Sequence, residues 1–238
     1  MRIKRSAGVL LALLLVSTAS RAFMLGGTRV VVYQDEGNSL LKVIGSSSDP
    51  LSLIRSRVTR SVDDNHQVAN FFVTPPLFRL EPGGRSMLRI SLLSPKGLPV
   101  DRESLFYLKV AGIPATNPLA RNSRQGFAGA SLLLGTGNII KVFYRPHGIG
   151  APTVDSWRQL RWQRVPGGLR ITNPTPWTVT FFSVSVDGYP VEFDATHPIM
   201  LAPFSSQMYG STSVQKKQAA WVVLNDAGGK VSGTAAIN

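Results

Sequence analysis

Short runs of β-branched and aromatic residues recur along this chain, and beyond the first 22 residues no long segment spaces its apolar residues as a helix would. Among the runs are Arg29-Val-Val-Val-Tyr33, Asn70-Phe-Phe-Val73, Ser86-Met-Leu-Arg-Ile-Ser-Leu92, Leu105-Phe-Tyr-Leu-Lys-Val110 and Ile139-Ile-Lys-Val-Phe-Tyr144. Turn clusters separate them, such as Asp35-Glu-Gly-Asn-Ser39, Glu81-Pro-Gly-Gly84 and Ser94-Pro-Lys-Gly97. Strands at this spacing with no helix between them predict an antiparallel sandwich or barrel, because parallel neighbours would need long crossovers. The 22 Gly and 16 Pro supply the turns such a fold consumes.

His147-Gly-Ile-Gly-Ala-Pro-Thr153 has little to pack and reads as a linker. After it the strand pattern restarts, in Gln159-Leu-Arg-Trp162, Gly168-Leu-Arg-Ile-Thr172, Thr178-Val-Thr-Phe-Phe-Ser-Val-Ser-Val186 and Ala220-Trp-Val-Val-Leu224. The expected organisation is two all-β domains, residues 23–147 and 154–238, joined by 148–153.

The net charge of +13 suggests an anionic partner. Part of it sits in Met1–Ala22, where Arg2, Lys4 and Arg5 precede the apolar run Gly8–Val16 and small residues follow. This is the layout of a cleavable secretory signal, and its apolar run is too short to span a bilayer. Removing it would leave +9, so an exported protein without membrane insertion is expected. The other cations are scattered singly, without the clustered Lys, Arg and aromatics of a nucleic-acid groove. With no Cys there is no disulfide framework and no cysteine nucleophile. His66, His147 and His197 lack partners at metal-ligand spacing, and no nucleophile elbow, phosphate loop or dinucleotide fingerprint occurs. The reading is therefore of a binding protein, not an enzyme, with no metal and no cofactor.

Longer blocks say more. Thr74-Pro-Pro-Leu-Phe-Arg-Leu-Glu-Pro-Gly83, Asp101-Arg-Glu-Ser-Leu-Phe-Tyr107, Ile113-Pro114 and Ile140-Lys-Val-Phe-Tyr-Arg-Pro146 lie in the first half. Asn173-Pro-Thr-Pro-Trp177, Met200-Leu-Ala-Pro203 and Leu224-Asn-Asp-Ala-Gly-Gly229 lie in the second. In this order the chain resembles the PapD-like periplasmic chaperones of the chaperone–usher pilus pathway. That resemblance implies two immunoglobulin-like β-sandwich domains in an L shape with an inter-domain cleft. It also implies a periplasmic chaperone that binds, folds and caps pilus or fimbrial subunits by donating an edge strand, then delivers them to an outer-membrane usher. The physics is β-augmentation: unpaired backbone groups supply hydrogen bonds while alternate side chains fill a groove.

By the same resemblance, the donated strand lies within Ser131–Tyr144, with Leu132, Leu134, Thr136 and Ile140 as groove contacts. Arg29 and Lys141 match the family's two cations for the subunit's terminal carboxylate. Leu132 and Lys141 fall on opposite faces of a regular strand, so a bulge between them is expected. Glu103, Arg145 and Asp226, with Arg89, match a charge network linking the domains. The long segment between Ile113-Pro114 and Phe143 resembles the family's long-loop branch and suggests a self-capping homo-oligomer. The competing reading is another exported β-sandwich module, such as a carbohydrate binder, which would need an aromatic platform or acidic sugar ligands.

Overall fold

The computed structural model describes residues 23–48, 51–114, 136–210 and 218–238. The expected export signal, residues 115–135 of the long segment after Ile113-Pro114, and with them Leu132 and Leu134, lie outside the described residues. In the first half the strands are β1 (Met24–Leu25), β2 (Arg29–Tyr33), β3 (Asn38–Ile44), β4 (Ser52–Thr59), β5 (Phe71–Thr74), β6 (Leu77–Leu80), β7 (Arg85–Leu92), β8 (Ser104–Pro114) and β9 (Thr136–Arg145). They form two facing sheets, ordered β1-β3-β7-β5 and β2-β9-β8-β4-β6.

Alternation decides which face each strand buries. In β3, Leu41 and Val43 are buried while Leu40 and Lys42 are exposed; in β7, Leu88 and Ile90 are buried between exposed Met87 and Arg89. Phe106, Leu108 and Val110 of β8 meet Val142 and Tyr144 of β9 in the same core. Phe71 stands edge-on to Phe106 at 5.0 Å. Each fully buried side chain of this kind contributes about 1.5–3 kcal/mol.

The N-terminal segment changes sheets within a few residues. β1 pairs with β3, whereas β2 runs parallel to β9 from Arg29↔Lys141 to Tyr33↔Arg145. The crossing runs through Gly26, whose N–H donates to the Lys42 carbonyl at 2.8 Å. A Cβ on Gly26 would sit 2.9 Å from that of Lys42, so a side chain there would force the two strands apart.

In the second half, helix α1 (Val154–Arg158) precedes β10 (Arg161–Val165), β11 (Gly168–Asn173), β12 (Val179–Val186), β13 (Tyr189–Pro190), β14 (Met200–Leu201), β15 (Ser205–Tyr209), β16 (Gln218–Leu224) and β17 (Lys230–Ala236). One sheet is ordered β10-β11-β15; the other is β13-β12-β16-β17, with β14 also on β12. Between them lies a second core of Trp157, Trp162, Ile171, Phe181, Tyr209 and Trp221, sharing no residue with the first.

The turn after β11 is fixed by one buried amide. Asn173 donates from Nδ2 to the Trp177 carbonyl at 2.7 Å and the Ala202 carbonyl at 2.9 Å. Its Oδ1 accepts from the Thr175 N–H at 3.0 Å and the Thr175 hydroxyl at 2.6 Å. The prolines of Asn-Pro-Thr-Pro offer no N–H, so side-chain bonds take the place of backbone ones.

Asn173→Ala removes both donors and the acceptor in a fully buried place, so we expect a loss of about 2–3 kcal/mol. All four Trp (157, 162, 177 and 221) lie in the second half, so a lower urea midpoint by tryptophan fluorescence is the readout.

Candidate functional site

Two groups of charge lie where the sandwiches meet. The first is built around Arg145, the last residue of β9, whose side chain is 2% exposed. Its Nε donates to Glu103 Oε1 at 2.6 Å, and its two terminal nitrogens donate to the Asp226 carboxylate at 2.7 Å each. A terminal nitrogen also donates to the Tyr33 hydroxyl at 2.6 Å, Tyr33 being Arg145's partner in the β2–β9 register. Glu103 Oε2 accepts the Thr178 N–H at 2.8 Å, and the Glu103 N–H donates to the Pro176 carbonyl at 2.9 Å.

Glu103 and Arg145 belong to the first sandwich, Asp226 and the 176–178 turn to the second. Burial pushes the Glu103 carboxyl above its ordinary range, opposed by the Arg145 charge and the Thr178 N–H. Burial alone would lower Arg145, but its bonds to Asp226 and the charges of Glu103 and Asp226 override this and hold the guanidinium protonated. Each partner makes the others' burial tolerable, so removing one leaves an uncompensated charge.

Arg89 does not join them, which corrects the expectation from sequence. It sits between buried Leu88 and Ile90 on β7, so alternation points it to solvent, and β7 is in the sheet opposite β8 and β9. Tyr33, Thr178 and Pro176 were missed. A phenol and two main-chain groups carry no sequence signal of their own.

The second group is Arg29 and Lys141, side by side as register partners on β2 and β9. Both are partly buried, and among the described residues neither meets a carboxylate. Arg29 donates to the Leu224 carbonyl at 3.3 Å and lies over the Phe143 ring at 5.7 Å, while its buried Nε has no hydrogen-bond partner among the described residues. Burial lowers the pKa of both cations, and Arg29 lowers Lys141 further. The β16–β17 turn closes one side, because Gly228 sits against Thr28.

The strand edge opens at this point. β9 pairs with β8 along its length, but β2 covers the other side only from Lys141 onward. Thr136–Ile140 therefore present an edge with no strand on it among the described residues. The β8–β9 register is continuous from Thr136 to Tyr144, so the expected bulge does not occur in this stretch. The even-numbered side chains turn inward: Ile140 packs on the core with Val142 and Tyr144. Lys141, Phe143 and exposed Ile139 share the other face. Thr136 opens the strand opposite Gly112.

Residues 22–150 match the family model described as pili and flagellar-assembly chaperone, PapD N-terminal domain. Residues 155–235 match that of the pili assembly chaperone PapD, C-terminal domain. The chaperone protein PapD of Escherichia coli is 31% identical over 220 residues, covering 92% of this chain and 87% of that protein. A relative named uncharacterized fimbrial chaperone YcbF, from Escherichia coli strain K12, is 30% identical over 226 residues, covering 92% and 89%. Among solved structures, the E. coli chaperone DraB superposes with a TM-score of 0.74 at 31% identity, over 92% of this chain and 98% of that one. A chain of the Salmonella enterica complex of SafA pilin with SafB chaperone gives 0.75 at 27% identity, again over 92% and 98%.

Asp226→Ala strips Arg145 of its bidentate partner. We expect a loss of about 2–3 kcal/mol and separation of the two sandwiches' unfolding, read as a tryptophan transition that no longer coincides with the far-UV one. Lys141→Met acts the other way in the free protein. It removes a half-buried cation beside another, and should raise the thermal midpoint by about 2–4 °C.

Proposed function

The chain belongs to the PapD-like family of pilus-assembly chaperones, non-enzymatic proteins of two immunoglobulin-like sandwiches, and from that membership we propose that it holds fimbrial subunits on the edge of β9. The observation that carries the reading is the Thr136–Ile140 edge, which among the described residues has no strand on it and ends at two cations that form no ion pair; the charges of Asp226 and Glu103 act on Arg29 without pairing with it. A subunit strand laid along that edge forms backbone hydrogen bonds worth about 0.5–1.5 kcal/mol each. Running parallel to β9, in the same direction as β2, it meets Arg29 and Lys141 with its C-terminus. A terminal carboxylate there relieves the like-charge pair and gives the unpartnered Arg29 Nε an acceptor.

The opposite faces of Lys141 and the even-numbered contacts create no conflict. A chain end lies in the plane of the sheet and can be approached from the outer face. Side chains of the same strand still fill an apolar groove from the inner face. Thr136 and Ile140 take the inner face, while Leu132 and Leu134 lie outside the described residues. The Glu103–Arg145–Asp226 ion pairs then serve to hold the two walls of the cleft at a fixed angle.

The rest of the reading follows from the family. Delivery to an outer-membrane usher in the periplasm fits an export signal over residues 1–22. The division into 23–147 and 154–238, with 148–153 between, is supported by the two separate cores. Among the described residues no helix is long and apolar enough to cross a membrane.

The test is co-purification of the cognate subunit from periplasmic extract. Arg29→Ala and Lys141→Ala should each abolish capture while the far-UV spectrum stays native; retention of the subunit by both variants overturns the clamp. In the wild type, capture should fall on the acid side as a terminal carboxylate protonates near ~3.5. On the alkaline side it should fall below the ordinary lysine range of about 10.4, because Lys141 is lowered by burial and Arg29.

A further inference from the structure

The sheet that carries Lys141 continues away from the cleft with a basic outer face, where Glu81, just beyond β6, is paired to Arg79 at 2.7 Å. Its strands β2, β9, β8, β4 and β6 contain no Asp or Glu. Register brings odd-numbered residues of β4, β8 and β9 onto Lys141's face in successive rows. Thr59, Tyr107 and Lys141 form one row, Arg57, Lys109 and Ile139 the next, and Arg55, Ala111 and Gly137 the third.

The middle row is organised. Arg57 and Lys109 both donate to Asn65 Oδ1, at 3.2 and 3.3 Å. A neutral amide thus fixes two cations side by side without neutralising them. Among the described residues, neither forms an ion pair. Of the acids on the adjoining loop, Asp64 is taken by the His66 ring and N–H, both at 2.9 Å; Asp63 is exposed. The third row is low: Ala111 is small, and a Cβ on Gly137 would have only the Val110 carbonyl within 4 Å, at 3.8 Å. Exposed Arg55 stands at its far end.

Resting on the subunit-holding reading above, we propose that this face recognises an acidic surface segment of the same subunit, whose carboxylates lie against Arg57, Lys109 and Arg55 while its C-terminus sits at Arg29 and Lys141. The face is continuous in register with the clamp, so one partner can reach both. The depression at Ala111–Gly137 admits a backbone close to the sheet between the charges. Surface cations of this kind, Arg55 exposed and Arg57 and Lys109 partly so, steer encounter and choose between partners more than they deepen the bound state.

The experiment follows complex formation after diluting the co-purified subunit from urea into purified chaperone, by tryptophan fluorescence. The Arg57→Glu/Lys109→Glu double variant and Arg55→Glu alone should each associate about 5–10-fold more slowly at ~50 mM salt. The difference should vanish near ~0.5 M, with Arg57→Lys at the wild-type rate. Arg55 is exposed, so its replacement keeps the test independent of any folding defect from loosening Asn65. Unchanged rates in both Glu variants, or slowing that salt does not erase, overturn the proposal. So does loss of binding to phosphatidylglycerol vesicles with unchanged subunit association, which would assign the face to lipid. Lys141→Ala run in parallel separates the two ideas. If it still forms the complex, the clamp fails; if it does not and the Glu variants are unaffected, only the acidic-face proposal fails.

Discussion

Arg145 is the residue on which the arrangement of the two sandwiches depends. Three bonds tie its guanidinium to Glu103 and Asp226, and a fourth reaches Tyr33. A buried ion pair seldom adds much net stability, because desolvation consumes most of the attraction. Its value lies in geometry, since a planar guanidinium held by four bonds in different directions admits few alternatives. Glu103 extends this to the 176–178 turn, which Asn173 has already fixed from inside the second core. A chain of fixed directions therefore runs from the first sheet to the second domain.

The same strand, β9, serves both groups of charge. Its last residue is locked into the inter-domain network, its middle carries Lys141 beside Arg29, and its beginning has no strand on one side among the described residues. Rigidity at one end and openness at the other come from one feature, the short reach of β2. A parallel partner of five residues, Arg29–Tyr33, stabilises only the second half of β9.

Much of this was legible in the sequence, for identifiable reasons. The period-two pattern of β7 and β8 and the turn clusters gave an all-β chain, and the Phe-Tyr and Asn-Pro-Thr-Pro blocks gave the family. Arg29 with Lys141, and Glu103 with Arg145 and Asp226, were named together because motif order carried them. Arg89 was misplaced because motif matching ignores the face on which a residue lands; its buried neighbours Leu88 and Ile90 already placed it in solvent. The bulge expected between Leu132 and Lys141 came from their odd spacing, and the described part of that stretch, from Thr136 onward, keeps a continuous register. The Arg57–Lys109–Asn65 arrangement was invisible, because it depends on register between strands far apart in sequence.

The crossing at Gly26 has a further consequence. An edge closed at one end and open at the other is a ruler with a zero mark, and the mark lies where the chain leaves β9's side to join the opposite sheet. Under the proposed clamp, a strand laid there is measured backward from its last residue, whatever its total length. Partners of different size could share such a seat if they end alike, and a single added residue at the terminus would shift every side chain to the wrong face.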